Sequence, residues 1–114
     1  MITARARSEA DGLILATATR QDSQVDTATR GQVPVVLVNR TSDDGSVPAI
    51  LGDDRAGIAL AVDHLVSLGH TRIGHVAGPE WVSTGKLRRE SFVAALEERG
   101  IACGPDVVQE AEWY

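Results

Sequence analysis

The feature that most restricts the fold is the run His64-Leu65-Val66-Ser67-Leu68-Gly69-His70-Thr71-Arg72-Ile73, continuing through Gly74-His75-Val76-Ala77-Gly78-Pro79. Its first half ends an amphipathic helix, because Ile58, Ala61, Val62, Leu65 and Leu68 recur at helical spacing on one face. Gly69 follows where a helix needs a residue free to turn left-handed. Arg72–Ala77 then reads as a buried strand, with Gly78-Pro79 as its exit. Helix, glycine stop and strand in immediate succession make the connection of an α/β unit.

The flanking sequence repeats that grammar. Asp11-Gly12 is a turn, and Leu13-Ile14-Leu15-Ala16 is the short continuous apolar run of a buried strand. Asp22 or Ser23 caps a short helix over Gln24–Arg30, whose apolar face is only Val25 and Ala28 and whose stop is Gly31. Val33-Pro34-Val35-Val36-Leu37-Val38 is the clearest strand, with Pro34 near its start, where a missing N–H does no harm. Asn39 to Ser46 is a polar loop around Asp43-Asp44-Gly45, and Val47–Leu51 forms another short strand. Asp53 or Asp54 caps the helix that runs to Leu68. Beyond Pro79 a second long helix covers Gly85–Arg99, with Phe92, Ala95 and Leu96 apolar and Gly100 as its stop. Gly104-Pro105 turns the chain into a last strand at Val107–Gln109. Residues 1–10 are a lead-in, either a frayed helix end or unstructured. Aromatics make up only 4% of the chain, so the core is aliphatic, as suits strands lying between helices. The expected class is α/β with a mainly parallel sheet.

Charge and cysteine content exclude several functions. The net charge of −5, from 11 basic and 16 acidic residues, argues against a nucleic-acid surface on this chain. Lys86, Arg88 and Arg89 are the one basic concentration. Cys103 is the single cysteine, which rules out an internal disulfide and a four-cysteine zinc site and fits a reducing compartment. The N-terminal residues lack the apolar core of a signal peptide, and no run approaches the roughly 18 apolar residues of a membrane span. These features lead to the expectation of a soluble, cytoplasmic domain with no membrane partner.

Three motifs invite chemistry. Gly78-Pro79-Glu80-Trp81-Val82-Ser83-Thr84-Gly85-Lys86 follows a strand and precedes a helix, as a phosphate-binding loop does. However, Glu80 stands at the first glycine position and Leu87 where Ser or Thr must reach Mg²⁺, so the phosphate cradle fails. His64, His70 and His75 fall on a helix, past its stop and in a strand, without metal-ligand spacing, and are read as structural. No G-x-S-x-G elbow supplies a nucleophile. Thr84 and Arg88 are more informative: four residues apart at a helix start, they share one face with the free N–H groups of the helix N-terminus. A hydroxyl, a guanidinium and those donors suit a polyhydroxylated or anionic small ligand. A helix cap followed by a solvated arginine accounts for the same spacing. Asp53 and Asp54 stand between a strand and a helix, the edge where α/β proteins place ligand groups, and capping explains them equally.

The block Asp53-Asp54-Arg55-Ala56-Gly57, the run from His64 to Ile73 and Gly78-Pro79 together resemble the effector-binding domain of the lactose-repressor (LacI/GalR) family of bacterial transcription regulators. Asp11-Gly12-Leu13-Ile14-Leu15 and Val33-Pro34-Val35-Val36-Leu37-Val38-Asn39-Arg40 resemble two strands of that domain, and Arg88 to Phe92 with Ala95-Leu96 to Gly100 continue the match. The resemblance runs from about residue 11 to the end. It implies the fold of type I periplasmic binding proteins, in which two α/β subdomains clamp a small ligand such as a sugar or a nucleobase. Residues 11–70 would belong to the first subdomain and 71–114 to the second, each in part. Arg88 and Thr84 match positions from which relatives contact the effector, Arg88 more firmly, and Asp53 or Asp54 corresponds to the other lip of the cleft.

The same resemblance implies that the DNA-binding headpiece, the hinge, the first two strands and the end of the second subdomain lie outside these residues. The chain thus reads as the middle of a regulator's sensor, with a small-molecule effector, a sugar or related polyol, as its expected ligand. The intact family implies a homodimer, with DNA bound only through the headpiece. No cofactor, metal or catalytic residue is expected. A transport-type sugar-binding protein of the same fold is the alternative, and a flavodoxin-like α/β enzyme a more remote one.

Overall fold

Short aliphatic runs separated by capped helices leave each strand only a few residues long, and the strands pair where those runs coincide. The computed structural model describes residues 10–104 and 106–111. Nearly all of the expected lead-in, and Pro105 of the last turn, lie outside the described residues. The chain divides into two compact units: the residues up to Gly52 with Trp81–Ser83, and Asp53–Glu80 with the residues from Thr84 onward.

In the first unit β1 (Leu13–Leu15), β2 (Val35–Val38) and β3 (Ala49–Ile50) form a parallel sheet in the order β1-β2-β3. Leu13 stands opposite Val35, and Leu37 opposite Ala49. The strands are shorter than the apolar runs that announce them. Pro34 precedes β2, where its carbonyl accepts the Leu13 N–H at 2.8 Å. Helix α1 (Ser23–Arg30) crosses from β1 to β2 and buries Val25 and Ala28 against Ala18, Val35 and Leu37. Of the two cap candidates, Asp22 takes the role, accepting the Gln24 N–H at 2.9 Å and the Val25 N–H at 3.4 Å. The Arg20 N–H donates to the Trp81 carbonyl at 2.8 Å, and the Thr41 N–H to Ser83 Oγ at 2.9 Å.

The second unit holds α2 (Asp54–Ser67), β4 (His75–Ala77), α3 (Ser83–Glu98, from Thr84 onward) and β5 (Val108–Glu110). Strands β4 and β5 pair in parallel, His75 opposite Val108 and Ala77 opposite Glu110. The core is Val62, Ile73, Phe92, Ala95 and Leu96, with Ile58, Val66 and Ile101 packed around it. Helix α2 packs in this unit. Its covered stripe is Val62 with the partly buried Ile58 and Val66, one residue per turn; Ile58 and Val62 belong to the expected face, whereas its Ala61, Leu65 and Leu68 are exposed. Leu68 is 61% exposed, and Leu60 and Leu65 are exposed with it. The helix is apolar on more than one side, so only its neighbours decide which stripe is covered.

All three helices end with the same pair of hydrogen bonds. The His70 N–H reaches the Leu65 carbonyl and the Gly69 N–H that of Val66; Ile101 and Gly100 repeat this with Leu96 and Glu97. Gly69 at φ +91° and Gly100 at φ +67° occupy the left-handed position, as glycine does without a Cβ penalty. In α1 the left-handed residue is Gln32 (φ +59°), one position after the expected Gly31, which stays at φ −76°. Val33 and Gln32 complete the motif on Ala28 and Thr29.

Gly85 fixes where α3 begins. A Cβ built there overlaps the Pro79 carbonyl oxygen and lies 2.9 Å from the Gly78 carbonyl carbon, so helix and strand exit are in backbone contact. His75, on β4, packs its ring 5.1 Å from that of Phe92, and its Nε2 is buried with no hydrogen-bond partner among the described residues. Burial, and then the charges of Arg89 and Arg88, hold its pKa below the ordinary 6.5. The unfolded chain therefore binds the proton first as pH falls, and stability complete above about pH 6.5 is lost below it.

Two outcomes follow from this packing. In urea denaturation, Gly85→Ala should lose about 1–3 kcal/mol through overpacking, although alanine in an open helix gains about 1 kcal/mol over glycine. Between about pH 7.5 and 5.5 the wild-type denaturation midpoint should fall, and His75→Gln should flatten that slope.

Candidate ligand-binding site

The four residues singled out by sequence come from the starts of two helices. Asp53, at φ −86° and ψ 78°, is the N-cap of α2, and its Oδ1 accepts the Ala56 N–H at 3.1 Å. It is exposed. Asp54 is the first residue of the helix proper and has a different partner: its Oδ1 receives Arg88 Nε at 3.2 Å. The structure thus gives Asp53 to the backbone and Asp54 to the guanidinium.

Thr84 and Arg88 lie one turn apart on α3, as their spacing requires. Their surroundings differ. Thr84 is buried at 3% exposure, whereas the Arg88 side chain is 42% exposed and that of Asp54 23%. The resemblance set Asp53 or Asp54 on the lip opposite Arg88; here Asp54 and Arg88 are a bonded pair within one compact unit. An ion pair this open to solvent is worth at most about 1 kcal/mol, so its consequence is geometric: it aims the guanidinium. Asp54 opens α2, where backbone N–H groups lack intrahelical partners, whereas Arg88 lies in the second turn of α3.

Arg89, the next residue along, escaped the sequence reading as a structural centre. Its Nη1 donates to Glu80 at 3.1 Å and its Nη2 to Glu110 at 3.2 Å, while its Nε is buried without a partner among the described residues. It ties the loop after β4 to the end of β5. Its neighbour Arg88 was visible, but no local signal links Arg89 to Glu110. That contact exists because β5 pairs with β4 and brings Glu110 opposite Ala77. Lys86, the third cation of the segment, pairs with Glu90 at 3.5 Å.

The remaining motifs do not converge. His64 and His70 are exposed and His75 is half-buried in β4. Among the described residues no group of three His, Cys, Asp or Glu side chains is placed to hold a metal ion. Cys103 is exposed. The first unit has a polar cavity of about 340 Å³ lined by Arg20, Asp22, Leu37 and Asp43 among others. Its carboxylates already serve the fold: Asp22 caps α1, and Asp43 takes Arg20 Nε at 2.9 Å and Nη2 at 3.1 Å. The Ser46 N–H binds Asp44 at 3.0 Å and holds that carboxyl below its usual range.

The chain is similar to proteins named as transcriptional regulators. HTH-type transcriptional regulator reg1 of Streptomyces lividans is 48% identical over 66 residues, which are 58% of this chain and 19% of the relative. HTH-type transcriptional regulator GalR of Escherichia coli is 38% identical over 82 residues, 71% of this chain and 24% of the relative. The chain therefore spans only about a fifth to a quarter of the length of these curated relatives. The crystal structure of a LacI family transcriptional regulator from Mycobacterium smegmatis superposes with a TM-score of 0.81 at 30% identity, covering 96% of this chain and 40% of that one. The family profile described as periplasmic binding proteins and sugar binding domain of LacI family matches residues 2–111. A match over nearly the whole length, on parallel α/β units of that fold, means that this chain belongs to the family of periplasmic binding proteins and LacI-type sugar-binding domains.

Proposed function

We propose that these residues form part of the effector-binding sensor of a LacI-type transcriptional regulator, with a sugar as effector. The observation that carries this reading is the Arg88–Asp54 pair, a donor fork from the second turn of α3 and a carboxylate from the first residue of α2, held together and partly open to solvent. Helix α3 follows β4 directly, so Arg88 stands at the carboxyl edge of a parallel sheet, where α/β proteins bind ligands. Arg88 is the principal contact, Asp54 shares the ligand with it, Thr84 adds a hydroxyl from the buried side, and Asp53 maintains the helix start.

In the whole regulator, effector binding shifts the population toward a closed cleft and so changes the affinity of separate DNA-binding segments. DNA is bound by the helix-turn-helix segment that the relatives' names state, in a cytoplasmic homodimer, and the sensor performs no catalysis. A transport-type binding protein is the second reading, because the family description includes periplasmic binding proteins. The coding sequence upstream separates the two: a helix-turn-helix marks a regulator, a secretory signal a transporter.

Two measurements test the sensor reading. In the full-length protein, Arg88→Ala should weaken binding of a sugar found by calorimetric screening roughly 10–100-fold, the value of one or two charge-assisted hydrogen bonds. Its unfolding free energy should stay within about 1 kcal/mol of wild type, and unchanged sugar affinity would remove Arg88 from the site. In a mobility-shift assay these 114 residues alone, with net charge −5, should show no sequence-specific DNA binding.

A further inference from the structure

We propose that Arg89 is a positioning residue of the ligand site: its two arms fix the rotation of the first turns of α3 and so aim Arg88, while Arg89 itself touches no ligand. The inference rests on the sensor reading, in which Arg88 is the contact. All the residues involved lie in the second unit.

The first half of α3 has little apolar packing to hold it. The side chains that α3 gives to the core are Phe92, Ala95 and Leu96, all in its second half. Before Ser91 the buried positions of the helix are Thr84, with a polar side chain, and Gly85, with none. Gly85 sets how closely the helix approaches the strand exit. It has no side chain to interlock with a neighbour, so it limits approach and not rotation about the helix axis. Rotation is left to the polar side chains on the two flanks.

At about 100° per residue, Arg88 and Arg89 fall on opposite sides of the line from Gly85 through Phe92 to Leu96. On one side Arg88 Nε reaches Asp54 of α2 at 3.2 Å. On the other, Arg89 Nη1 reaches Glu80, in the turn after β4, at 3.1 Å, and Nη2 reaches Glu110, the last residue of β5, at 3.2 Å. The pairing of β4 with β5 gives this brace a rigid footing, since Glu110 stands opposite Ala77. A guanidinium is a rigid planar fork, so carboxylates on two separate segments fix its direction. Arg89 is also the more enclosed arginine, with a side chain 24% exposed against 42% for Arg88. Both its Nη atoms are committed to carboxylates and its Nε is buried. Arg88, by contrast, makes its one hydrogen bond to a described residue through Nε, which leaves its Nη atoms for a ligand.

The geometry sets the scale of the effect. A roll of about 10° carries a side chain at the outer helix radius of ~5–6 Å through about 1 Å. A binding constellation has to be held within about 0.5 Å. The single bond from Arg88 to Asp54 is one point of attachment and cannot stop such a roll alone.

The test is calorimetric titration of the full-length protein with glucose, galactose, ribose and maltose, followed with whichever binds. Arg89→Lys keeps the charge and loses the two-armed geometry, and Arg89→Met keeps only the aliphatic stem. Each should weaken that sugar about 5–10-fold while circular dichroism stays that of wild type. Glu110→Gln removes one arm from the strand side, leaves α3 itself unaltered, and should weaken the sugar about 2–5-fold. In an Arg88→Ala background each of these changes should alter affinity less than about twofold, because the brace then has nothing to aim. A residue that contacts the sugar, or that only stabilises the fold, would keep its effect without Arg88. Wild-type affinity in both Arg89→Lys and Glu110→Gln, or losses that multiply with that of Arg88→Ala, overturn the proposal and leave the sensor reading standing. Binding of none of the four sugars, or an affinity unchanged by Arg88→Ala, overturns the sensor reading and this inference together.

Discussion

The second unit depends on one close approach. Where the chain leaves β4 at Gly78-Pro79 and turns back as α3, the first helical turn rests on the strand-exit backbone, and only the missing Cβ of Gly85 permits it. That contact sets the height of the helix over the β4–β5 sheet. It places Phe92, Ala95 and Leu96 against Ile73 and Val62, and it presents Thr84 and Arg88 at the sheet's carboxyl edge. From that height Arg88 meets Asp54 and Arg89 spans Glu80 and Glu110. Packing comes first, and the polar geometry follows from it.

The polar geometry contributes little to stability. Each pair is partly exposed, in the range where ion pairs are worth at most about 1 kcal/mol. Their effect is to hold long, flexible side chains in place and to cancel charge. The arginine fork is held by Asp54, which narrows the rotamers it can adopt.

The helix ends show how local signals and tertiary context divide the work. Gly69 and Gly100 are legible because a left-handed residue after an apolar run is most easily glycine, and both helices stop there. Gly31 carries the same signal, yet Gln32 takes the left-handed position, since the register of the closing bonds on Ala28 and Thr29 places it one residue later. On α2 the apolar residues form two adjacent stripes, and spacing alone groups Ala61, Leu65 and Leu68 with Ile58 and Val62. The core formed with Phe92 and Ile73 keeps Ile58 and Val62 and takes Val66 in place of the other three. Gly85 is the reverse case, a residue that looked like part of a failed phosphate loop and is in fact a packing contact.

By itself the sequence determined the alternation of strands and helices, the narrowing of the first cap to Asp22 or Ser23, and the family. These are encoded by neighbours a few residues apart, through helical spacing, capping and turn chemistry, or by a motif carried in order along the chain. Tertiary structure alone decided that Asp54 pairs with Arg88 across 34 residues, that Arg89 joins Glu80 to Glu110, and that Thr84 is buried while Arg88 stays open. Such pairings depend on strand order and on the distance between a helix and its sheet. Those are set by the summed packing of side chains remote in sequence, and no local pattern records them.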